Sequence, residues 1–320
     1  MPRYFDVCNG DADGLCAVVQ WRLAHPEPAT LVTGLKREID LLGRLQADAG
    51  DEVLVCDVSM QRNLPALQRL LACGVRVRYF DHHATGEVPR HPGLQVHIDL
   101  SPRACTSVLM DRHLHGRFRA WAVVGAFGDN LAQPADELAD ALGLSLPQRH
   151  RLRALGESIN YNAYGDDERD VHVPPAQLYR TLAAYADPFE LLAHEKVCRE
   201  LHERREADLQ QARALAAWRV DASGRIFLLP DAPWARRVSG CLANELARGH
   251  PGLAHAVVVP TPRGDLRVSV RAPLTARGGA AELCARFGGS GRAGAGGIDA
   301  LPRQALDRFA AAFASAPWTP

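Results

Sequence analysis

Val75-Arg76-Val77-Arg78-Tyr79-Phe80-Asp81-His82-His83 is the stretch that decides the fold. Its first six residues read as a β-strand, and Asp81-His82-His83 ends that strand abruptly. The same ending recurs along the chain. Upstream, Asp11-Ala12-Asp13-Gly14 follows the apolar run Tyr4 to Cys8, and Asp57 follows Val53-Leu54-Val55-Cys56. Downstream, Gly128-Asp129-Asn130 closes the helical pattern Ala120 to Phe127. Four such endings fit the carboxyl end of one parallel sheet, where open α/β folds build their sites.

Further strand candidates are Leu31 to Thr33 and Gln95 to Ile98, with helical patterns such as Leu15 to Leu23 and Ala104 to His115 between them. Alternation of strands and helices implies a parallel sheet with crossover helices. The segment from about Ala139 to Leu192 is mainly helical, with a polar, Tyr/Asn-bearing loop at Asn160 to Gly165. Leu191 to Trp218 is rich in Glu, Arg, Ala and Leu. Its mixed charges read as a solvated helix face. From Val220 the pattern restarts, with strands at Ile226 to Leu229, Ala254 to Val259 and Asp265 to Val270. Helices follow at Val238 to Arg248, Ala280 to Arg286 and Pro302 to Ala314. The expected fold class is α/β. A doubly wound parallel sheet occupies residues 1–190, a linker helix residues 191–218, and a smaller α/β domain residues 219–320.

The 320 residues are 47% hydrophobic and 23% charged, which is globular composition with room for two cores. A formal net charge of zero argues against a protein that coats long nucleic acid. A short phosphate ligand held by metals and a local Arg cluster stays open. Lysine occurs at Lys36 and Lys196 alone, and all other basic residues are Arg. That imbalance reads as coding bias rather than function. The eight cysteines include no Cys-x-x-Cys pair, which argues against a zinc ribbon or redox motif. With no basic-then-apolar leader and no bilayer-length apolar run, a cytoplasmic protein with no membrane partner is expected.

Carboxylates with imidazole and without thiolates suit Mn²⁺, or alternatively Mg²⁺, better than structural zinc. Asp11 and Asp13, two apart in one loop, can reach two neighbouring ions, and Asp57 can bridge them. Two such ions can activate a shared water and neutralise phosphoryl oxygens. His83, next to His82, could hydrogen-bond a substrate phosphate. A lone Asp at a strand end is more often a helix cap or turn former. The order and recurrence of the four motifs favour the metal reading.

These motifs resemble those of the DHH phosphoesterase superfamily in its two-domain form with a DHHA1 domain, and the resemblance spans essentially the whole chain. The superfamily includes RecJ-like exonucleases, nanoRNases, cyclic-dinucleotide phosphodiesterases and family II inorganic pyrophosphatases. By this resemblance one ion is held by Asp13, Asp57, His82 and Asp129, and a second by Asp11 and Asp57. The segments Asp99-Leu100-Ser101 and Ala104-Cys105-Thr106-Ser107 then lie near the substrate pocket. Several members carry a His four residues before the first Asp. Here that residue, a ligand of the first metal in those members, is Val7, which predicts a weaker first metal site and weakens the pyrophosphatase reading.

Six glycines among residues 288 to 297 exclude a stable helix there and suit a loop that cradles anions. The run resembles the DHHA1 signature Gly-Gly-Gly-His-x-x-Ala-Ala-Gly, with Arg292 in the His place. Gly289, Ser290, Gly291 and Arg292 are therefore expected to bind substrate. Arg271, in a segment resembling the family's Ser-x-Arg strand, could fork onto a terminal phosphate. Arg236 and Arg237 are weaker candidates for the same task. Asn160, with Tyr161, Asn162 and Tyr164, could stack on a base.

The expected activity is hydrolysis of short oligoribonucleotides or linear dinucleotides such as pGpG or pApA to mononucleotides, with His83 and Asp57 in catalysis. A homodimer is compatible with this, and long nucleic acid is not an expected partner. The competing readings are a phosphatase for pyrophosphate or a nucleoside bisphosphate, and a nucleotide-binding protein without catalysis.

Overall fold

Near-continuous apolar burial along the central strands is what a sheet covered on both faces demands. The computed structural model describes residues 2–276 and 278–318. In chain order its first elements are β1 (Tyr4–Asn9), α1 (Ala12–Ala24), β2 (Ala29–Gly34), β3 (Glu52–Cys56), α2 (Met60–Ala72), β4 (Arg76–Asp81) and β5 (Leu94–Ile98). Helices α3 (Thr106–His113), α4 (Arg119–Gly128), α5 (Ala132–Ala141), α6 (Leu146–Asn162), α7 (Pro175–Ala183), α8 (Pro188–His194) and α9 (Lys196–Arg213) follow. The five strands form one parallel sheet in the order β2-β1-β3-β4-β5. The order reverses between β1 and β3, which makes their carboxyl ends the switch point of a doubly wound sheet.

Alternate residues of β3 serve different cores. Leu54 and Cys56 pack with Ala12, Val19, Val108, Trp121 and Val124. Val53 and Val55 pack with Met60, Leu67 and Leu71. Period-2 side-chain alternation thus places α1, α3 and α4 against one face and α2 against the other. Val7 points into the second of these cores and is fully buried.

The chain divides into two units. The first comprises residues 1–163 and 171–202, the second residues 164–170 and 203–320. Helix α9 contributes to both. The second unit continues with β6 (Arg219–Val220), β7 (Gly224–Leu228), α10 (Pro233–Gly249), β8 (Ala254–Pro260), β9 (Leu266–Arg271), α11 (Ala280–Ala285), β10 (Ser290–Arg292), β11 (Ala295–Leu301) and α12 (Leu306–Ala314). Its sheet runs β10-β11-β9-β8-β7-β6, with β7 and β8 parallel and every other pair antiparallel. Phe309 and Phe313 of α12 and Leu283 of α11 fill the core on one face.

Three segments differ from the sequence reading. Asn160, Tyr161 and Asn162 are the last turn of α6 rather than a loop. They are buried there, and Asn162 accepts from the backbone N–H groups of His172 and Val173 at 3.0 and 3.1 Å. The Gly-rich run is a β-hairpin and not an open cradle: Ser290, Gly291 and Arg292 pair with Gly297, Gly296 and Ala295. A Cβ at Gly296 would lie 2.7 Å from Cys284 Sγ, so this glycine answers to close packing on α11. Arg236 and Arg237 are buried in ion pairs rather than offered to a ligand. Arg236 forks onto Asp170 at 2.8 and 2.9 Å, and Arg237 meets Asp208 at 2.7 Å. Among the described residues, no helix is long and apolar enough to cross a membrane.

Candidate metal centre

Parallel register brings the ends of four strands to one level. Cys8 lies opposite both Thr33 and Cys56, and Cys56 lies opposite Phe80. The next few residues therefore meet: Asp11 and Asp13 after β1, Lys36 after β2, Asp57 after β3, and His82 and His83 after β4. Asp129 joins them as the C-terminal cap of α4. Helix α4 can approach α1 because position 128 is glycine; a Cβ there would sit 2.3 Å from Ala12 Cβ. Asp57 has φ of +59°, a left-handed conformation that costs a non-glycine residue about 1–2 kcal/mol. Its N–H donates to Phe80 O at 3.0 Å, so the turn that aims its carboxylate is anchored to β4.

Each side chain is held from behind. Asp13 accepts from the backbone N–H groups of Thr106 at 2.7 Å and Ser107 at 2.8 Å, the first residues of α3, and from the Ser107 hydroxyl. His82 Nδ1 lies 2.9 Å from Ala104 O. Only a protonated Nδ1 can bond a carbonyl, so Nε2 is turned inward. Nε2 lies 3.2 Å from Asp57 Oδ1, 3.7 Å from Asp13 Oδ2 and 4.0 Å from Asp129 Oδ2. His83 Nδ1 lies 2.7 Å from Asp81 Oδ1, and its side chain is 42% exposed. The fully buried Asp81 thus fixes a ring whose other nitrogen can meet a ligand.

The charges are unbalanced. Burial and the neighbouring Asp11 and Asp13 push the Asp57 carboxyl well above the usual carboxylate range. Burial also raises Asp129, against the pull of His82. Burial opposes a charge on His82, yet Asp57, Asp129 and Asp13 outweigh it and push the imidazole up to about 10. Asp11 is the exception. Burial would raise it, but the Lys36 ammonium prevails and holds it below the usual value.

Ligand atoms about 2.1 Å from one ion are about 3.0 Å apart when adjacent and about 4.2 Å when opposite, and the distance from His82 Nε2 to each of the three carboxylates falls in that span. Among the described residues, the group whose ligand atoms all lie within 4.8 Å of one another is Asp57, His82 and His83, which adds His83 as a ligand candidate. Of the carboxylate pair expected to hold a second ion, Asp11 and Asp57, the Asp11 oxygens already have partners. Asp11 Oδ1 accepts from the Gly14 N–H at 3.1 Å, Asp11 Oδ2 is bonded to Lys36 Nζ, and Val7 faces the apolar core.

The structure brings Asp11, Asp13, Asp57, His82, His83 and Asp129 together. Asn160 is near them, but as an acceptor for Lys36 Nζ at 3.0 Å and not on a base-stacking loop. Arg271 lies on β9 of the second unit, its Nε donating to Asn244 Oδ1 at 2.7 Å. Gly289 precedes β10, while Ser290, Gly291 and Arg292 form it and are exposed. Lys36 was the residue missed from the sequence. It follows an apolar strand as Asp57 does, which is the signal that could have found it.

No protein-family profile matches this sequence, and no curated protein does. Solved structures do share its fold. It is similar to a DHH-domain member of the s1p family of ribosomal proteins, with a TM-score of 0.68, 15% identity, and coverage of 98% of this chain and 87% of that one. An exonuclease RecJ bound to manganese gives 0.62, 18%, 98% and 89%. A pGpG-specific phosphodiesterase, PggH of Vibrio cholerae, gives 0.56, 14%, 98% and 98%. The chain has the DHH fold.

Proposed function

We propose that this protein is a metal-dependent phosphodiesterase that hydrolyses short oligoribonucleotides or linear dinucleotides of the pGpG or pApA kind to mononucleotides. The observation that carries the reading is the convergence of His82 Nε2 with Asp13, Asp57 and Asp129 at the carboxyl end of the parallel sheet. Mn²⁺ is the ion proposed, in keeping with the manganese of the RecJ structure. A bound divalent cation supplies Lewis-acid polarisation of a phosphoryl oxygen and lowers the pKa of water.

The side chains account for the rest. His82 and Asp57, both pushed above their usual pKa, would have to be deprotonated to hold an ion. Helix α3 keeps Asp13 in place through two N–H donors and a hydroxyl. Asp81 holds the partly exposed His83 ring beside Asp57, which makes it the proposed contact for a phosphoryl or leaving oxygen. In the second unit, Ser290 and Arg292 on the exposed hairpin and Arg271 on β9 are the proposed phosphate contacts. Neutral net charge supports a small ligand over long nucleic acid. The structural likeness to a pGpG-specific enzyme supports a dinucleotide.

The test is hydrolysis of pGpG, pApA, longer RNA, cyclic dinucleotides and pyrophosphate, side by side, with Mn²⁺ and with EDTA. Mn²⁺-dependent cleavage favouring the linear dinucleotides is expected. Preference for pyrophosphate or for longer RNA would overturn the substrate assignment and keep the centre. Inactivity on all five would overturn the activity.

A further inference from the structure

Lys36 is fixed on every side. Its backbone N–H donates to Ala163 O at 3.0 Å, and its carbonyl accepts from Asn9 Nδ2 at 3.1 Å. Its ammonium bonds Asp11 Oδ2 and Asn160 Oδ1. The Asp11 side chain is only 3% exposed, while that of Lys36 is 23% exposed. The carboxylate is therefore sealed behind a cation that solvent still reaches. Asp11 meanwhile does a structural task, as N-cap of α1 through Oδ1. Both of its oxygens are engaged.

The neighbourhood reinforces this. Asp11 and Asp13 both crowd Asp57, and Asp13, Asp57 and Asp129 face His82. At Asp11 a matching positive charge is already present on the protein. A divalent ion placed on Asp11 would have to displace the ammonium, or sit beside it against like-charge repulsion in a buried setting. It would find no imidazole there, since Val7 is packed in the core. The anchors on Asn9 and Ala163 hold the backbone of Lys36 beside the cluster.

We propose that Lys36 takes the place of a second cation, so that this centre holds one divalent ion, on Asp13, Asp57, His82 and Asp129, with the Lys36 ammonium as its permanent partner. The proposal rests on the metal-dependent reading above and narrows it. The ammonium neutralises Asp11 and presents a fixed positive charge to a phosphoryl oxygen arriving at the site. A point charge on a flexible stem suits this task, and Lys binds phosphate in that manner.

Ion stoichiometry tests it without reference to turnover. The full-length protein, stripped with EDTA and dialysed against Mn²⁺, would be assayed for bound manganese and examined by electron paramagnetic resonance, alongside Asp11→Asn. One Mn²⁺ per chain with an uncoupled spectrum is expected for both proteins. Asp11→Asn should keep the ion because Asp11 does not hold it. Two Mn²⁺ per chain with an exchange-coupled spectrum, reduced to one in Asp11→Asn, would overturn the role of Lys36 and leave the phosphodiesterase reading standing. No bound Mn²⁺ in the parent protein would overturn both. Circular dichroism of Asp11→Asn checks that the cap loss has not unfolded α1. Should it have done so, the parent stoichiometry and spectrum decide alone.

Discussion

Four aspartates of the first unit and the arginines of the second show two ways of burying charge. In the second unit Arg236 pairs with Asp170 and Arg237 with Asp208, each by short charge-assisted bonds. Burial would raise Asp170, but Arg236 outweighs it and the carboxylate sits below its usual value. Such pairs pin residues 164–170 into the second unit. In the first unit Asp13, Asp57 and Asp129 face one imidazole, and Asp57 is driven up instead of down. Balanced buried charge is architecture; unbalanced buried charge with a left-handed turn at its centre marks a site prepared for a ligand. Within that site Asp11 behaves like the second unit's aspartates, because Lys36 balances it.

Asp57→Asn should separate the two kinds of aspartate most sharply. Asn tolerates the left-handed turn, so the fold should persist, while turnover falls by at least ~10³-fold. Mn²⁺ binding measured by calorimetry should weaken with it. Asp170→Asn, by contrast, should leave Mn²⁺ affinity unchanged and lower the melting temperature, since it removes the forked partner of a buried guanidinium.

His83→Ala should reduce kcat by about 10²-fold, the range of a lost proton donor, with bound manganese unchanged. Loss of the ion in that variant would make His83 a ligand rather than a substrate contact. The pH dependence follows from His82 and Asp57. Both hold protons above their ordinary pKa, and the ion must displace them, so Mn²⁺ affinity should fall as pH is lowered. Calorimetry in buffers of different ionisation enthalpy should show proton release on binding. For His82 the folded value of about 10 exceeds the reference 6.5. Its contribution to metal-free stability is therefore complete below 6.5 and lost as pH rises through about 10. Urea titrations of the stripped protein across that window would show it.

The smallest effect belongs to the hairpin. Arg292→Ala should raise KM several-fold with kcat nearly intact, because an exposed contact of this kind contributes about 1 kcal/mol. No change in KM would make the hairpin purely structural.

Much of the first unit was legible from sequence because its strands are apolar runs ended by a charged residue. Asp11, Asp57 and His82 carry that signature directly. Lys36 carries it too, but its rarity in the chain pointed to codon usage, and only the bond to Asp11 shows what it does. Asn160 and Asn162 have the composition of a loop, yet long-range bonds to Lys36 and to the 172–173 backbone hold them in α6. The hairpin at 290–301 was illegible for a related reason. Its glycines are chosen for close backbone contact with α11, and strand propensity does not register such packing. Arg236 and Arg237 read as phosphate binders because a sequence does not show which aspartates lie opposite.

Anomalous scattering from crystals soaked in Mn²⁺ tests the central claim most directly. A single peak among His82 Nε2, Asp13, Asp57 and Asp129 is predicted, with Lys36 still on Asp11. A peak elsewhere, or none at these residues, would contradict the metal centre itself.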